Sequence, residues 1–426
     1  MTASFQTVSM IGLGYIGLPT AAVLAARGLQ VVGVDINPRA VETINRGEIH
    51  IVEPDLDEVV HRVVKSGNLR AVLHPESTDA YLIAVPTPFE RWDDGHHHPD
   101  LSFVAAAAKA IAPTLRPGAL VILESTSPVG TTELLQDWLA MARPDLSFPK
   151  TAGEGADIQL AYCPERVLPG QVLTELINND RIIGGVTPYC AERAASLYRL
   201  FVKGECLLTN ARTAEMCKLT ENAYRDTNIA FANELSLICD KLGGINVWEL
   251  IRLANHHPRV KILQPGPGVG GHCIAVDPWF IVDSAPAEAR LIRTAREVND
   301  SKPHYIVAQI VAAIEALTGA DMGQPVVACL GLAFKPDIDD LRESPAVEIV
   351  VELAQKYQGE ILVVEPHIDR LPSELFGFEQ LRLSAAEAAI GRANIVVMLV
   401  NHREFYAIER QMLVGKSVID SRGLWL

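Results

Sequence analysis

Cys273 stands near the end of PGPGVGGHCIAVDP, behind four glycines (266, 268, 270 and 271) and four residues before Asp277. Glycines crowded in this way let a ligand come close to the backbone. A thiol in such a loop is placed for nucleophilic attack, which needs exposure and a positive neighbour. The alternative is a buried structural cysteine. The adjacent His272 does not decide between them, because consecutive residues of extended backbone point to opposite sides. Lys218, Asn222 and Arg225 fall at i, i+4 and i+7 in a stretch with few breakers, so they would share one helix face. Two cations flanking an amide could stabilise a developing oxyanion and hold a phosphate, or could form an ordinary solvated face. Glu165 and Arg166 in AYCPERVLPG, and Lys335 and Arg342 in FKPDIDDLRESP, follow apolar strand-like runs, where ligand crevices of α/β proteins lie.

Gly12, Gly14 and Gly17 form G-x-G-x-x-G between a first apolar strand and a helical pattern. The first glycine allows the tight turn, the second admits a pyrophosphate to the backbone, and the third lets helix and strand pack closely. The next strand ends in Asp35, 21 residues after Gly14. A carboxylate there binds ribose hydroxyls and repels a 2′-phosphate, so the expected cofactor is NAD rather than NADP. Thr87 in VPTP and Thr126 in ESTSPVGTT follow two further strands, where their hydroxyls could reach the nicotinamide half.

These groups need elements to position them. The first 130 residues alternate β-branched runs (Val8–Ile11, Gln30–Val34, Ala80–Val85, Ala119–Glu124) with helical patterns such as Pro19–Arg27, the rhythm of a parallel sheet wound by helices. A helix-rich stretch runs from about Thr209 to Asp240. Alternation resumes near Pro325 with VVACLGLAF, SPAVEIVVELAQKY, EILVVEP, ANIVVMLV and KSVIDSRG. The expected fold class is therefore α/β, with two doubly wound Rossmann-like domains joined by a long central helical segment. Its expected parts are an NAD-binding domain over 1–205, a central segment over 206–318 and a C-terminal domain over 319–426.

Composition narrows the function. The formal charge of −15, from 52 acidic and 37 basic residues, leaves no basic surface for nucleic acid. Seven cysteines without a CxxC pair argue against a disulfide framework or zinc site, and fit a reducing, cytoplasmic setting. MTASFQTVSMIGLGYIG lacks the pattern of a signal peptide, and no run of about 18 apolar residues occurs, so membrane insertion is not expected. Adjacent histidines in RWDDGHHHPD (91–100) do not converge on one ion from a regular element, and the loop reads as solvated; no metal is expected.

GLGYIGLP, VPTP, ESTSPVGT, CPER, EMCKLTEN, GVGGHCIAVDP and GLAFKPDIDDLRESP, in this order over nearly the whole chain, resemble the nucleotide-sugar 6-dehydrogenases of the UDP-glucose/GDP-mannose dehydrogenase type. RGEIHIVEPDL, NDRIIGG and NVWELIRLANHHPRV resemble the branch that oxidises UDP-N-acetyl-D-mannosamine for bacterial surface polysaccharides such as enterobacterial common antigen. GGHC replaces the GGSC common in UDP-glucose dehydrogenases, which favours an N-acetylated sugar. The resemblance implies Cys273 as nucleophile, Lys218, Asn222 and Asp277 as its polar partners, and Glu165 near the reacting centre. It assigns Tyr15, Ile16, Asp35, Thr87, Thr126 and Arg342 to NAD. A UDP-N-acetylhexosamine substrate would meet Arg166, Val167, Lys218, Asn222, Arg225, His257, Arg259, Gly270 and Lys335. Family members pair through the central helical segment, so a homodimer or higher homo-oligomer is implied, with Arg259 reaching the neighbouring site.

A thiol fits this chemistry because one hydride transfer stops at the aldehyde, while a carboxylate requires a second oxidation. Oxidation of UDP-N-acetylglucosamine or UDP-glucose, two-electron hydroxyacid dehydrogenation and a non-enzymatic NAD sensor are the competing readings. Epimerase chemistry is disfavoured, because none of the nine tyrosines has Lys four positions later.

Overall fold

The computed structural model describes residues 5–91, 97–168, 170–271, 273–318 and 323–425. His272 and residues 92–96 of the histidine-bearing loop at 91–100 lie outside the described residues. The chain divides into two units, residues 1–221 and 222–426.

The first unit holds strands β1 (Thr7–Ile11), β2 (Gln30–Val34), β3 (Leu69–Val72), β4 (Ala80–Ile83), β5 (Phe89–Arg91), β6 (His97–Pro99), β7 (Leu120–Leu123), β8 (Gln159–Tyr162), β9 (Arg181–Gly185) and β10 (Cys206–Asn210). Apart from the β5–β6 hairpin they form one sheet in the order β10-β9-β8-β7-β4-β1-β2-β3. Side chains alternate between its faces: Ala80 and Leu82 of β4 enter one core, Tyr81 and Ile83 the other. With both faces covered, the strand reads as an unbroken apolar run. Strand order reverses between β1 and β4, which opens a crevice at their carboxyl ends. The sheet's pairings are parallel, as expected over the first 130 residues, except further on, where β9 runs antiparallel to β8. It also continues past residue 205, since β10 pairs with β9 in parallel.

The long helix forms over Ala211–Leu242, 32 residues without an internal proline or glycine, or about 48 Å of helix. In the second unit it packs through a buried polar ladder. Arg296 Nη1 donates to Asp226 Oδ1 at 2.6 Å, Asn299 Nδ2 to the same oxygen at 2.8 Å, and Asn233 Nδ2 to Asn299 Oδ1 at 2.9 Å. Asn233 Oδ1 then accepts the N–H of Gly266 at 2.8 Å, which fixes where the glycine-rich loop begins. Arg296 and Asn299 come from the helix Arg290–Thr318.

A second sheet follows, with β11 (Val327–Leu330), β12 (Ile361–Val364), β13 (Leu381–Leu383), β14 (Ile395–Met398) and β15 (Ser417–Asp420). Its order is β13-β12-β11-β14-β15 and every pairing is parallel. Val327 and Cys329 face one core, Ala328 and Leu330 the other. Both doubly wound sheets anticipated from the sequence are thus present. Among the described residues no helix is long and apolar enough to cross a membrane.

Candidate active site

In the first unit the three motif glycines separate by what a side chain would meet. At Gly12, with φ +90°, a Cβ would lie 2.5 Å from the carbonyl oxygen of Ala84, and at Gly17 it would lie 1.8 Å from that of Gly12. At Gly14 it would meet nothing within 4 Å. Two glycines therefore serve packing, and the third leaves room beside the backbone. The helix Gly17–Ala26 begins without a side-chain cap, so its N-terminal amides suit a pyrophosphate. Ile16 is half-buried at that helix start, and Tyr15 is exposed before it. Asp35 accepts the N–H groups of Leu13 at 3.0 Å and Asn37 at 2.8 Å, which holds its carboxylate at the end of β2.

Strand β4 ends two residues before its apolar run and β7 ends with its run at Leu123, and the segments beyond them are tied together. Thr87 Oγ1 donates to the carbonyl of Thr126 at 2.5 Å, and Ser125 Oγ donates to that of Val85 at 2.7 Å. Glu215 of the long helix anchors the next turn: its carboxylate accepts the N–H groups of Gly130 (2.6 Å) and Thr132 (2.8 Å) and the Thr132 hydroxyl (2.6 Å). One turn further along that helix comes Lys218, about nine-tenths buried.

Glu165 follows β8 and is almost fully buried. Its oxygens accept the N–H of Arg166 at 2.6 Å and Nη1 of Arg181 at 2.8 Å. Arg166 forms a two-pronged pair with Glu221, through Nε at 3.0 Å and Nη2 at 2.7 Å. Val167 packs against the core. Buried Glu53, from RGEIHIVEPDL, accepts the N–H groups of Gly170 at 2.9 Å and Val172 at 2.8 Å, so this segment braces the loop after CPER. Beneath lies Glu124, whose carboxyl is pushed up to about 7 by burial and by the charge of Glu165. Tyr198 donates its hydroxyl to Glu124 at 2.6 Å.

In the second unit, Cys273 is the exposed one of the seven cysteines. Burial pushes the thiols of Cys163 and Cys329 up to about 12, which keeps them protonated and inert. The carbonyl of Cys273 accepts the N–H groups of Val276 at 3.1 Å and Asp277 at 2.8 Å, placing the residue one turn ahead of the helix Asp277–Ser284. Asp277 is buried and accepts Asn222 Nδ2 at 2.5 Å. Arg225 is exposed on the long helix. His257 and Arg259 belong to an exposed loop after the helix Val247–Ala254, where the Arg259 N–H donates to His257 Nδ1 at 3.3 Å.

The glycines before Cys273 allow close approach of protein groups. A Cβ on Gly270 would lie 2.4 Å from the carbonyl oxygen of Glu343 and 2.6 Å from Pro345 Cδ; on Gly271, 3.0 Å from the ring of Phe334; on Gly266, 2.8 Å from Nη1 of Arg422. Lys335 and Arg342 lie in the loop that leaves β11, where Arg342 pairs with Asp340 at 2.6 Å. Burial lowers the Arg422 guanidinium to about 10 against the pull of Asp420. An arginine so desolvated is ready to meet an anion. Asp337, His367, His402 and Glu404 also gather at the strand ends of this sheet. His402, however, accepts the Asp337 N–H through Nδ1 and faces Glu365 through Nε2, both at 3.0 Å, so neither nitrogen has a lone pair left for an ion.

Three models of one family match in chain order: the NAD binding domain over residues 6–202, the central domain over 212–301 and the UDP binding domain over 328–425. The chain belongs to the UDP-glucose/GDP-mannose dehydrogenase family. It is similar to an NDP-N-acetyl-D-galactosaminuronic acid dehydrogenase of Ralstonia nicotianae, 63% identical over 99% of this chain and 96% of the relative. It is equally similar to a UDP-N-acetyl-D-mannosamine dehydrogenase of Salmonella typhi, 63% identical over 99% of this chain and 100% of the relative. Among solved structures, a UDP-D-ManNAc dehydrogenase from Pyrococcus horikoshii is 38% identical with a TM-score of 0.86, covering 99% of this chain and 96% of that one. NAD is thus the cofactor of this nucleotide-sugar dehydrogenase, and the open space at Gly14 and the uncapped helix fit it.

Sequence reasoning missed Arg422, Glu215, Glu221 and Glu124. A basic residue after the last strand (VIDSRG) was a readable signal for Arg422. The others act through contacts that no local spacing announces.

Proposed function

We propose that the chain oxidises C6 of UDP-N-acetyl-D-mannosamine in two NAD-dependent steps, giving UDP-N-acetyl-D-mannosaminuronate for a bacterial surface polysaccharide of the enterobacterial common antigen kind. The observation that carries the reading is Cys273, the exposed thiol, beside the bonded pair Asn222–Asp277. NAD supplies the hydride acceptor for both oxidations. Gly12, Gly14, Tyr15, Ile16, Gly17, Asp35, Thr87 and Thr126 hold it, with Arg342 as a further contact. Arg166, Val167, Arg225, His257, Arg259, Gly270 and Lys335 bind the substrate, and we add Arg422 for its diphosphate.

In the first oxidation a water ordered by Lys218 and Asp277 accepts the C6 hydroxyl proton as the hydride leaves carbon. The Cys273 thiolate then adds to the aldehyde, forming a C–S bond, while Lys218 and Asn222 stabilise the oxyanion. Loss of the second hydride turns this thiohemiacetal into a thioester. Water, deprotonated by Asp277 or Glu165, attacks the thioester carbon; the C–S bond breaks, the thiolate is restored and the acid leaves. We further propose a cytoplasmic homo-oligomer built on the central segment, with the NAD part extended through β10 to residue 210, the central segment from 211 to 318 and the C-terminal part from 319 to 426.

The Ralstonia relative, as similar as the Salmonella one, favours a second reading in which the galacto sugar, which differs from the manno one at C2 and C4, is the substrate. An assay of NADH formed from UDP-N-acetyl-D-mannosamine, UDP-N-acetyl-D-galactosamine, UDP-N-acetyl-D-glucosamine and UDP-glucose decides between them. The manno sugar should have the highest kcat/KM, with two NADH per sugar consumed. A ratio of one, with free aldehyde accumulating, would reject the thioester route.

A further inference from the structure

Phe334 stands between two functional loops of the second unit. On one side its ring lies 3.0 Å from where Gly271 would carry a Cβ, and its own Cβ lies 3.0 Å from the equivalent point on Gly270. These are the glycines two and three residues ahead of Cys273. On the other side the Lys335 ammonium sits 5.9 Å from the ring centroid, within reach of a cation–π attraction.

The chain leaving β11 is rigid up to this point, because Glu365 accepts the N–H groups of Leu332 at 2.7 Å and Ala333 at 3.0 Å. Beyond it the loop carries two non-glycine residues in the left-handed region, Asp337 at φ 62° and Glu343 at φ 50°. Such conformations persist only where surrounding contacts impose them. Glu343 is held against the thiol loop, since its carbonyl accepts the N–H of Gly271 at 3.4 Å. Strain therefore sits at the far end of the segment that begins with Phe334 and Lys335, and both ends touch the glycines before Cys273.

We propose that Phe334 is a positioning residue that transmits occupancy of the Lys335 loop by a nucleoside diphosphate to the loop of Cys273. The inference rests on the proposed function, in which Lys335 binds the nucleotide sugar and Cys273 attacks its C6, and it adds that the Lys335 ammonium meets the diphosphate. An anion that draws the Lys335 ammonium off the ring changes what holds the ring, and with it the surface on which Gly270 and Gly271 rest. Binding energy from the non-reacting nucleotide thereby contributes to placing the nucleophile.

The test uses the full chain and UDP, which lacks the sugar that would cover the thiol. Iodoacetamide labelling of each cysteine is followed by mass spectrometry, with half-buried Cys217 as internal reference. In the parent, saturating UDP should change the Cys273 rate by about fivefold or more, the lower range of coupling between sites, and leave Cys217 unaffected. Phe334→Ala should lose that response while still binding UDP by calorimetry. A parent that binds UDP with no change at Cys273, or a Phe334→Ala that keeps the full response, would overturn the coupling and leave the proposed function standing. A parent that does not bind UDP would sink both. If Phe334→Ala cannot bind UDP, Phe334→Leu decides: a lowered kcat at near-constant KM supports the coupling, and an unchanged kcat overturns it.

Discussion

Asn222 and Asp277, 55 positions apart, meet in a single hydrogen bond in which the amide Nδ2 donates to the carboxylate Oδ2. The amide comes from the middle of the long helix and the carboxylate from the first turn of the helix after Cys273. The bond ties the long helix to the turn that carries Cys273.

Asp277→Asn keeps this bond, because an amide oxygen still accepts from Asn222, but removes the charge needed to take a proton. NADH production should fall by about 10²–10⁴-fold in kcat, with an unchanged thermal midpoint. An equal loss of stability and activity would point to a structural role alone.

Gly14 and Gly17 should part company. Gly14→Ala adds a methyl where the protein itself leaves space, so its melting temperature should stay at the parent value while NAD affinity falls by about tenfold or more, roughly 1.4 kcal/mol. Gly17→Ala forces a clash with the carbonyl of Gly12 and should lower stability by about 1–3 kcal/mol. Calorimetry and titration with NAD read both.

For Asp35→Asn, the expected result is a shift of coenzyme preference toward NADP of about tenfold or more, as the repulsion of a 2′-phosphate is removed. The single amide oxygen cannot serve both Leu13 and Asn37 as the carboxylate does. A stability loss of about 1 kcal/mol should accompany the shift. Steady-state kinetics with each coenzyme is the check.

Glu124 links stability to pH. Its carboxyl titrates near 7 in the fold against an ordinary value of 4.5. Between these values the folded chain holds a proton that the unfolded chain has released. The associated stability is therefore fully present below the ordinary value and is lost as pH rises through about 7. Melting temperatures of the parent should decline over this window, by the equivalent of roughly 3 kcal/mol, and Glu124→Gln should flatten the decline. A parallel decline in the variant would show that other groups cause it.

Legibility followed the range of the contacts. Gly12, Gly14, Gly17 and Asp35 could be read because their geometry is set within one strand–turn–helix unit, and the apolar runs marked β1, β2, β4 and β7 to within a residue or two. The register of Lys218, Asn222 and Arg225 was also legible, since helix periodicity alone puts them on one face. What escaped was set by distant packing. Glu215 finds its partners at Gly130 and Thr132, across 83 or more positions. The reversal of β9 against β8 left no trace in strand composition, because buried strands of either direction are apolar runs. Arg422 is the intermediate case: its place after the last strand is legible in VIDSRG, but its approach to Gly266, 156 positions away, is set by distant packing.

The crowding around Gly266, Gly268, Gly270 and Gly271 also bears on how this protein could be re-engineered. A first side-chain carbon would collide with the Glu343 carbonyl at Gly270 and with Pro345 at Gly268, would press on the Phe334 ring at Gly271, and would displace the end of Arg422 at Gly266. A library randomised at Gly268 and Gly270 would therefore consist mostly of chains in which the facing loop must shift. If His257 and Arg259 meet the sugar as proposed, retuning toward another sugar has more freedom there, since both side chains are exposed and neither packs against these glycines.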